Sequence, residues 1–575
     1  MKTPGAALFA FLAITCASGI AHAQEESGLQ RTRVYDVRDI ARREPWFLPA
    51  TIVDASFVPA VNDTAEEARA ALELADLAML VKEGTGAEYW EQEGVELRPE
   101  DSGFLSLTCD EQMHTQVRTV LSRLRRLLFE PVLVEVHELP ASTLQKRGSV
   151  LSAEEVDALL SQAGEHRVFA GRTNPRMPLL LESKRIQNRI AGLKMLVAQN
   201  AKGPDLEVAA ANHGASWSVR AARAIGDGML VTVSGSERSL SAGPVCEVPT
   251  GDGNAATLEL PVTRIASCSA SAYLRPGQAM LVGSDAPGSV VLCVRVQRTV
   301  PISPLEIGEL TAYPIGNLVG GAARPVDLHV PYEAGTLFPA SEDEPMPTVF
   351  DGGRLVEWLV SQVDPETWNG SPNTMQSLGG FLFVSAGEAT QKGIVERLQS
   401  LQALDSRQFT LDVCFGDVPN DIMKGFRGLD VAQLAAALPQ HCVATVSASR
   451  EARVSATFHT PFVKDCEAGI AMGSAATAPV LGSIARGFLL RCNAEPMDQG
   501  TALLDLQMSL LSHDAERSLF ALKDPRLGQV DRIDVRENKV RGATVVTLGE
   551  WTILLLSPVE GGTGHIAVVA RLRAA

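Results

Sequence analysis

Leu504, Leu506, Met508 and Leu510 alternate with Asp505, Gln507 and Ser509, the period of two expected of a strand with one wet face. Residues 219–225 and 229–233 flank Gly226-Asp227-Gly228, which predicts a hairpin. Elsewhere the period is helical. Met113, Val117, Val120, Leu121 and Leu124 form one apolar stripe, which leads into a predicted strand at residues 132–136. Thr64-Ala65-Glu66-Glu67 has the form of a capping box and precedes Leu72, Ala75 and Met79 on one face. Leu355, Leu359 and Val363 make a matching stripe, and Trp90 and Trp368 follow the two helices closely. A second capping-box pattern, Ser152-Ala153-Glu154-Glu155, opens a further helix. Apolar runs at 279–282 and 551–556, each preceded by a glycine (Gly277, Gly549), are short enough to predict buried strands.

These elements occur twice. Gly103-Phe104-Leu105 returns as Gly380-Phe381-Leu382, an offset of 277 (380 − 103) that holds without a gap to Val136 and Val413. Within the block Leu107 meets Val384, Glu111 meets Glu388, Val117 meets Ile394, Leu121 meets Leu398, Leu124 meets Leu401 and Glu135 meets Asp412. Tyr35 corresponds to Tyr313 at an offset of 278, and Gly228 to Gly500 and Gly277 to Gly549 at 272. The expectation is a tandem duplication of a unit of about 270 residues. Each unit has the order strand, helix, strand, strand, helix, strand over about 105 residues, a small α/β module, and then over a hundred strand-like residues. The fold class is therefore α+β. Module 1 spans 31–138, β-rich region 1 139–300, module 2 308–414 and β-rich region 2 415–575. The unit boundary falls at Pro301-Ile302-Ser303-Pro304, where two prolines stop regular structure, and Ser341-Glu342-Asp343-Glu344-Pro345 is a solvated loop.

The first residues add an address. Met1-Lys2-Thr3, an apolar run at 6–14 and Ala21-His22-Ala23 before Gln24 have the layout of a secretory signal peptide, residues 1–23, and the apolar part is too short to span a bilayer. Removing Lys2 takes the net charge from −17 to −18 (−17 − 1), which argues against a nucleic-acid partner. Arg123, Arg125 and Arg126 sit late in a predicted helix, where cations suit the dipole. Nine cysteines include Cys16, so eight remain after processing; no Cys-x-x-Cys pair occurs, and buried thiols and disulfides stay open as alternatives.

Candidate chemistry changes little. The chain has no Gly-x-Ser-x-Gly, no His-Glu-x-x-His and no phosphate-loop motif, so no catalytic, cofactor-binding or metal-binding residue is assigned and no cofactor is expected. His114 reads as a residue of a solvated helix face, with Gln391 at the equivalent place. Gly251-Asp252-Gly253 and Gly561-Gly562-Thr563-Gly564 read as turns, and Trp90, Trp368 and Trp551 as core residues.

One resemblance joins these pieces. The helix segment from His114 to Arg125, of the form His-x-x-Val-x-x-Val-Leu-x-x-Leu-Arg, is followed by Val132-Leu133-Val134-Glu135-Val136. This resembles the junction between the periplasmic N-domains and the core of bacterial secretins, the ring-forming outer-membrane pore proteins of type II and type III secretion and type IV pili. Tyr35-Asp36-Val37-Arg38-Asp39-Ile40 is similar to the strand that opens secretin modules. Arg172-Thr173-Asn174-Pro175-Arg176, Gly226-Asp227-Gly228 and Arg275-Pro276-Gly277-Gln278-Ala279 are similar to family segments in the core. The chain departs from the family in carrying one module and one core per unit, twice, and in Ala448-Ser449-Arg450 standing where Thr173-Asn174-Pro175 stood.

The resemblance implies a non-enzymatic envelope protein that acts in protein secretion through oligomeric assembly. Its partners would be further copies of itself or other envelope secretion components, in the periplasm or at the outer membrane. The alternative is a soluble periplasmic adaptor or scaffold that kept the fold without forming a pore. Aromatic residues at 5% favour the alternative, because a membrane barrel carries aromatic girdles.

Overall fold

The structure, a computed structural model, describes residues 30–41, 72–319 and 351–575, apart from several short stretches within the last two ranges. The expected signal peptide, the Thr64 helix start, the Pro301–Pro304 boundary, the 341–345 loop and Gly251-Asp252-Gly253 lie outside the described residues.

The chain opens with β1 (Arg31–Asp36) and the short α1 (Arg38–Ala41), then α2 (Leu74–Gly84), β2 (Glu96–Glu100), β3 (Phe104–Cys109) and α3 (Glu111–Phe129). The three strands pair antiparallel in the order β1-β3-β2. Asp110 caps α3 by accepting from Met113 N at 2.8 Å, and the expected stripe of Met113, Val117, Val120, Leu121 and Leu124 is buried. The face of α2 differs from expectation: Leu77, Leu80 and Val81 are buried while Ala75 and Met79 are exposed, and Leu72 precedes the helix. A helix apolar on most of its circumference leaves more than one stripe open to choice, and packing on α3 selects among them.

The next strands belong to a larger body: β4 (Val132–Leu139), β5 (Val150–Leu151), α4 (Ala153–Ala163), β6 (Arg167–Thr173), β7 (Leu179–Ala198), β8 (Ala201–Arg223), β9 (Met229–Ser241), the hairpin of β10 (Val245–Pro249) and β11 (Ala255–Glu259), β12 (Val262–Leu274), β13 (Ala279–Ser284) and β14 (Val291–Arg298). The strand at 132–136 was expected to complete the first module, but β4 pairs with β14 and β6 instead. Its partner β14 lies some 150 residues further on, and a pattern within one segment says nothing about which distant edge it will meet. Both hydrogen bonds of the expected capping box on α4, Ser152 with Glu155, are made.

A second set follows: β15 (Leu305–Ile307), β16 (Leu310–Pro314), α5 (Gly316–Val319), α6 (Gly352–Gln362), β17 (Thr374–Leu378), β18 (Phe381–Ser385), α7 (Glu388–Asp405), β19 (Gln408–Val418), α8 (Val431–Ala437) and β20 (Gln440–Ser447). Then come β21 (Ala452–Ala471), β22 (Ser474–Pro496), β23 (Thr501–His513), the hairpin of β24 (Ser518–Ala521) and β25 (Gln529–Arg532), β26 (Val535–Thr547), β27 (Trp551–Pro558) and β28 (His565–Ala574). Strands β21, β22, β23 and β26 have 20, 23, 13 and 13 residues, as do β7, β8, β9 and β12. The register breaks between Ile190 and Gly192 in one set and between Val463 and Asp465 in the other, both at an offset of 273 (463 − 190, 465 − 192).

Two large sheets stack on one another. The first is an eight-stranded antiparallel meander, β7-β8-β9-β12-β21-β22-β23-β26. The second runs β6-β4-β14-β13-β20-β19-β28-β27, with β5 added on β13. One apolar core lies between them, with Val134, Val136, Val294, Leu411 and Val413 from the second sheet against Trp217, Val231, Ala270, Leu490 and Met508 from the first. Leu504, Leu506 and Met508 are buried as their alternation predicts. At about 25 cal/mol per Å² of apolar surface removed from water, this interlayer is the main source of stability. The run at 279–282 is fully buried, whereas that at 551–556 is only half-buried, because β13 has neighbours on both sides and β27 is an edge.

No helix among the described residues is long and apolar enough to cross a membrane, which says nothing about strands.

Candidate assembly edges

The halves of the chain meet along two ladders, one in each sheet. In the first sheet β12 lies antiparallel to β21, from Thr263 opposite His459 to Ser269 opposite Arg453, with the Ser267 and Ser455 hydroxyls 2.6 Å apart. In the second, β13 meets β20 at Gly283 and Val443. Side chains close the seam. Gln408 of β19 accepts from Tyr273 N at 3.0 Å and donates to Tyr273 O at 3.1 Å. Tyr273 donates to Asp405 at 3.2 Å, and Arg450 donates both to Asp405 at 3.3 Å and to Asn317 O at 3.0 Å. Burial raises the Asp405 carboxyl above its ordinary range, with Arg450 opposing it. Nearer the amino terminus the sheet of the second module packs on the first: Leu127 of α3 shares a cluster with Ile307, Leu310, Ala312 and Phe383, and Arg123 donates to Glu306 O at 2.7 Å.

Among the described residues, each large sheet also ends in two strands with only one ladder. These are β7 and β26 in the first sheet and β6 and β27 in the second. In both sheets the first-half strand stands at one end and the second-half strand at the other. β7 also comes close to β22 and β21 without pairing, so the first sheet is curled. Rows of backbone N–H and C=O groups along such edges are templates for further strands. Large apolar side chains exposed among the described residues include Val34 on β1, Val168 on β6, Leu404 on α7 and Val545 on β26.

The space between the sheets differs in the two halves. In the first, Trp217 donates to Glu138 at 2.7 Å, Arg167 pairs with Glu138 and Glu237, and Arg264 pairs with Glu237. In the second, Phe415 and Phe488 pack with ring centroids 4.8 Å apart beside a cleft of about 860 Å³ that Phe458, Arg486 and Asn538 also line. On the opposite face of β19 from Phe415, Asp412 receives Arg571 at 3.1 Å and Arg573 at 2.8 Å, with His441 at 3.4 Å. Burial opposes its ionisation, but the bonds from His441 and Arg573 prevail and hold the carboxyl below its ordinary range.

Residues singled out by sequence fall in structural roles. His114 is buried, which corrects its reading as a solvated residue: Tyr35 OH lies 3.0 Å from its Nδ1 and Arg31 O 2.9 Å from its Nε2. Gln391 makes the corresponding bond to Tyr313. Arg125 does more than meet the helix dipole, since it binds Asp39 at 2.6 Å and Asp36 O at 2.7 Å. Trp90 is buried and donates to Thr85, while Trp368 and Trp551 are half-buried. Cys109, Cys268, Cys293, Cys414, Cys442 and Cys492 are buried free thiols, and burial pushes Cys109 up to about 11 and Cys293 and Cys414 up to about 12, which leaves them unreactive. Among the described residues no group of three or more His, Cys, Asp or Glu is placed to hold a metal. The open edges themselves were not found in the sequence, where no signal marks a strand as terminal.

No family model and no curated protein matches this chain. Solved structures similar to it include the β-barrel of the InvG secretin domain from the Salmonella SPI-1 injectisome, 9% identical over 39% of this chain and 79% of that one, with a TM-score of 0.22. Aeromonas hydrophila ExeD is 10% identical over 95% and 90%, with a TM-score of 0.19. The type II secretion system secretin GspD of E. coli K12 is 10% identical over 95% and 90%, with a TM-score of 0.18. Scores this low carry no argument about fold or function, so the chain's own residues must.

Proposed function

We propose that this is a non-enzymatic envelope protein related to the secretins, acting in protein secretion through assembly of several copies, and that it arose by duplication of a unit of about 270 residues. The observation that carries the reading is that both stacked sheets end in single-ladder strands on the same two flanks. A soluble protein normally blunts such edges, and a neighbouring subunit is one way to cover them. The matched strand lengths and the two equivalent bulges support the duplication. Strands of 20 and 23 residues exceed the roughly 9 to 11 needed to cross a bilayer, which supports an outer-membrane site for the far ends of the hairpins. Export through residues 1–23 and a final place in the periplasm or outer membrane belong to the same reading.

Low aromatic content, 5%, favours the alternative of a periplasmic adaptor or scaffold without a pore. Electron microscopy of the protein extracted from its native envelope, with sedimentation in the presence and absence of detergent, decides between them. Rings are expected; a monomer in both conditions at micromolar concentration removes the pore and leaves the adaptor.

A further inference from the structure

We propose that His137 and His166 form a binding site for a divalent transition-metal ion that favours imidazole, zinc or copper(II), which staples the start of β6 to β4. The site is independent of the assembly reading above.

The two rings meet on the side of β4 turned away from the interlayer core. Val136 faces that core, whereas His137 shares its face with Leu139, which packs beside Val156 and Leu159 of α4. The register partner of His137 in β6 is Val168, and His166 stands two residues earlier, just before the strand. His137 Nδ1 and His166 Nε2 lie 3.0 Å apart. The outer nitrogens both look onto oxygen atoms. His166 Nδ1 is 2.7 Å from Gly164 O, and His137 Nε2 is 3.8 Å from a carboxylate oxygen of Glu135.

Two neutral rings cannot satisfy this row. They carry two protons, and the oxygens at the two ends call for both, which leaves two bare nitrogens lone pair to lone pair at 3.0 Å. Moving one proton into the middle joins the rings but leaves His137 Nε2 bare before a carboxylate. Among the described residues that buried atom has no hydrogen-bond partner. A third proton would make His137 an imidazolium on a ring only 7% exposed; burial is the main influence against that charge, His166 and Arg295 also oppose it, and Glu135 favours it. A metal ion in the middle resolves the conflict. It takes both bare nitrogens while each ring keeps its proton toward an oxygen, the arrangement that orients histidine ligands generally. Two nitrogens held 2.0–2.1 Å from one tetrahedral ion stand about 3.3–3.4 Å apart, so the rings need part by only about 0.3–0.4 Å. His166 is half-buried, and water can fill the remaining positions.

The second half does not repeat the constellation. Glu135 and His137 correspond to Asp412 and Cys414 (135 + 277, 137 + 277), and Pro439 (166 + 273) stands in the place of His166. Asp412 is bound by Arg571, directly opposite it in the ladder, at 3.1 Å. Arg295 stands directly opposite Glu135 but pairs with Asp157 of α4 at 3.8 Å, and the ion pair of Glu135 is with His137.

Calorimetric titration of the full-length protein, without an affinity tag and stripped by a chelator, with Zn²⁺ and separately with Cu²⁺ tests the site. One ion per chain is expected, copper the tighter, with a Tm that rises with ion concentration. H166A changes a half-buried ring in a connection, so without metal it should melt with the wild type, yet bind either ion at least about tenfold more weakly. H166N serves in its place if H166A does not fold. E135Q should also weaken binding by about tenfold or more, as loss of an outer partner does. H213A, a histidine of β8, should bind as the wild type does. Electron paramagnetic resonance of the copper form should show two coordinated imidazoles, and one in the His166 variant. Equal affinity in wild type and the His166 variant, an equal loss in H213A, the same imidazole count in both, or no saturable binding of either ion overturns the inference, and none of these results bears on assembly.

Discussion

Tyr35 shows how one polar atom constrains a module. Its hydroxyl meets His114, whose other ring nitrogen meets Arg31 O, and in the second module Tyr313 meets Gln391. A side-chain amide can therefore do what the imidazole does. H114Q should change stability by less than about 1 kcal/mol, whereas H114L, which removes the bonds to the Tyr35 hydroxyl and to Arg31 O and leaves that hydroxyl only His114 O at 3.3 Å, should cost about 1–3 kcal/mol in denaturant unfolding. The sequence held a clue to this burial, since His114 stands three residues before Val117 and seven before Leu121 on the buried face. A polar residue in an apolar stripe is the one to examine for partners. Asp412 carries the pH dependence. Its folded pKa is depressed, so its contribution is complete above the ordinary carboxylate value of about 3.9 and fades as pH falls through the lower folded value. The stability gap between wild type and D412N should be widest near neutrality and shrink at acid pH; a gap that grows on acidification refutes the assignment.

Among elements, legibility followed locality. The 226–228 hairpin, the alternation around Leu506 and the capping box at Ser152 each have their cause within a few residues, and each is present. The membership of β4 in the large sheet and the lengths of β7 and β8 were not legible. Pro204 and Gly214 lie inside β8, where period and propensity both argue for a break, and only the ladders with β7 and β9 keep that strand continuous. Gly487 of β22 is a related case. Its φ is +130° and a Cβ there would stand 2.0 Å from Ala456 O, so G487A should destabilise the β21–β22 ladder severely, seen as a loss of soluble folded protein or a large drop in Tm. L506D should do the same by placing an unpaired charge in the interlayer core.

For the whole molecule, folding and association rest on different residues. V34D and L404D touch exposed positions and should leave the monomer's unfolding midpoint within about 0.5 kcal/mol, because surface changes away from special features are small. Sedimentation velocity should nevertheless show weaker self-association. L127D, at the counterpart of Leu404 within the seam, should instead unfold the chain.

The ladder between β12 and β21 has a consequence for dilution. If a ring is built from these chains, every second contact around it is covalently tethered, at an effective local concentration of the order of millimolar that no change in protein level alters. Only the alternate contacts obey mass action. Closing a given circumference then takes half as many encounters as a chain carrying a single unit would need, and a scarce protein gains most from that economy.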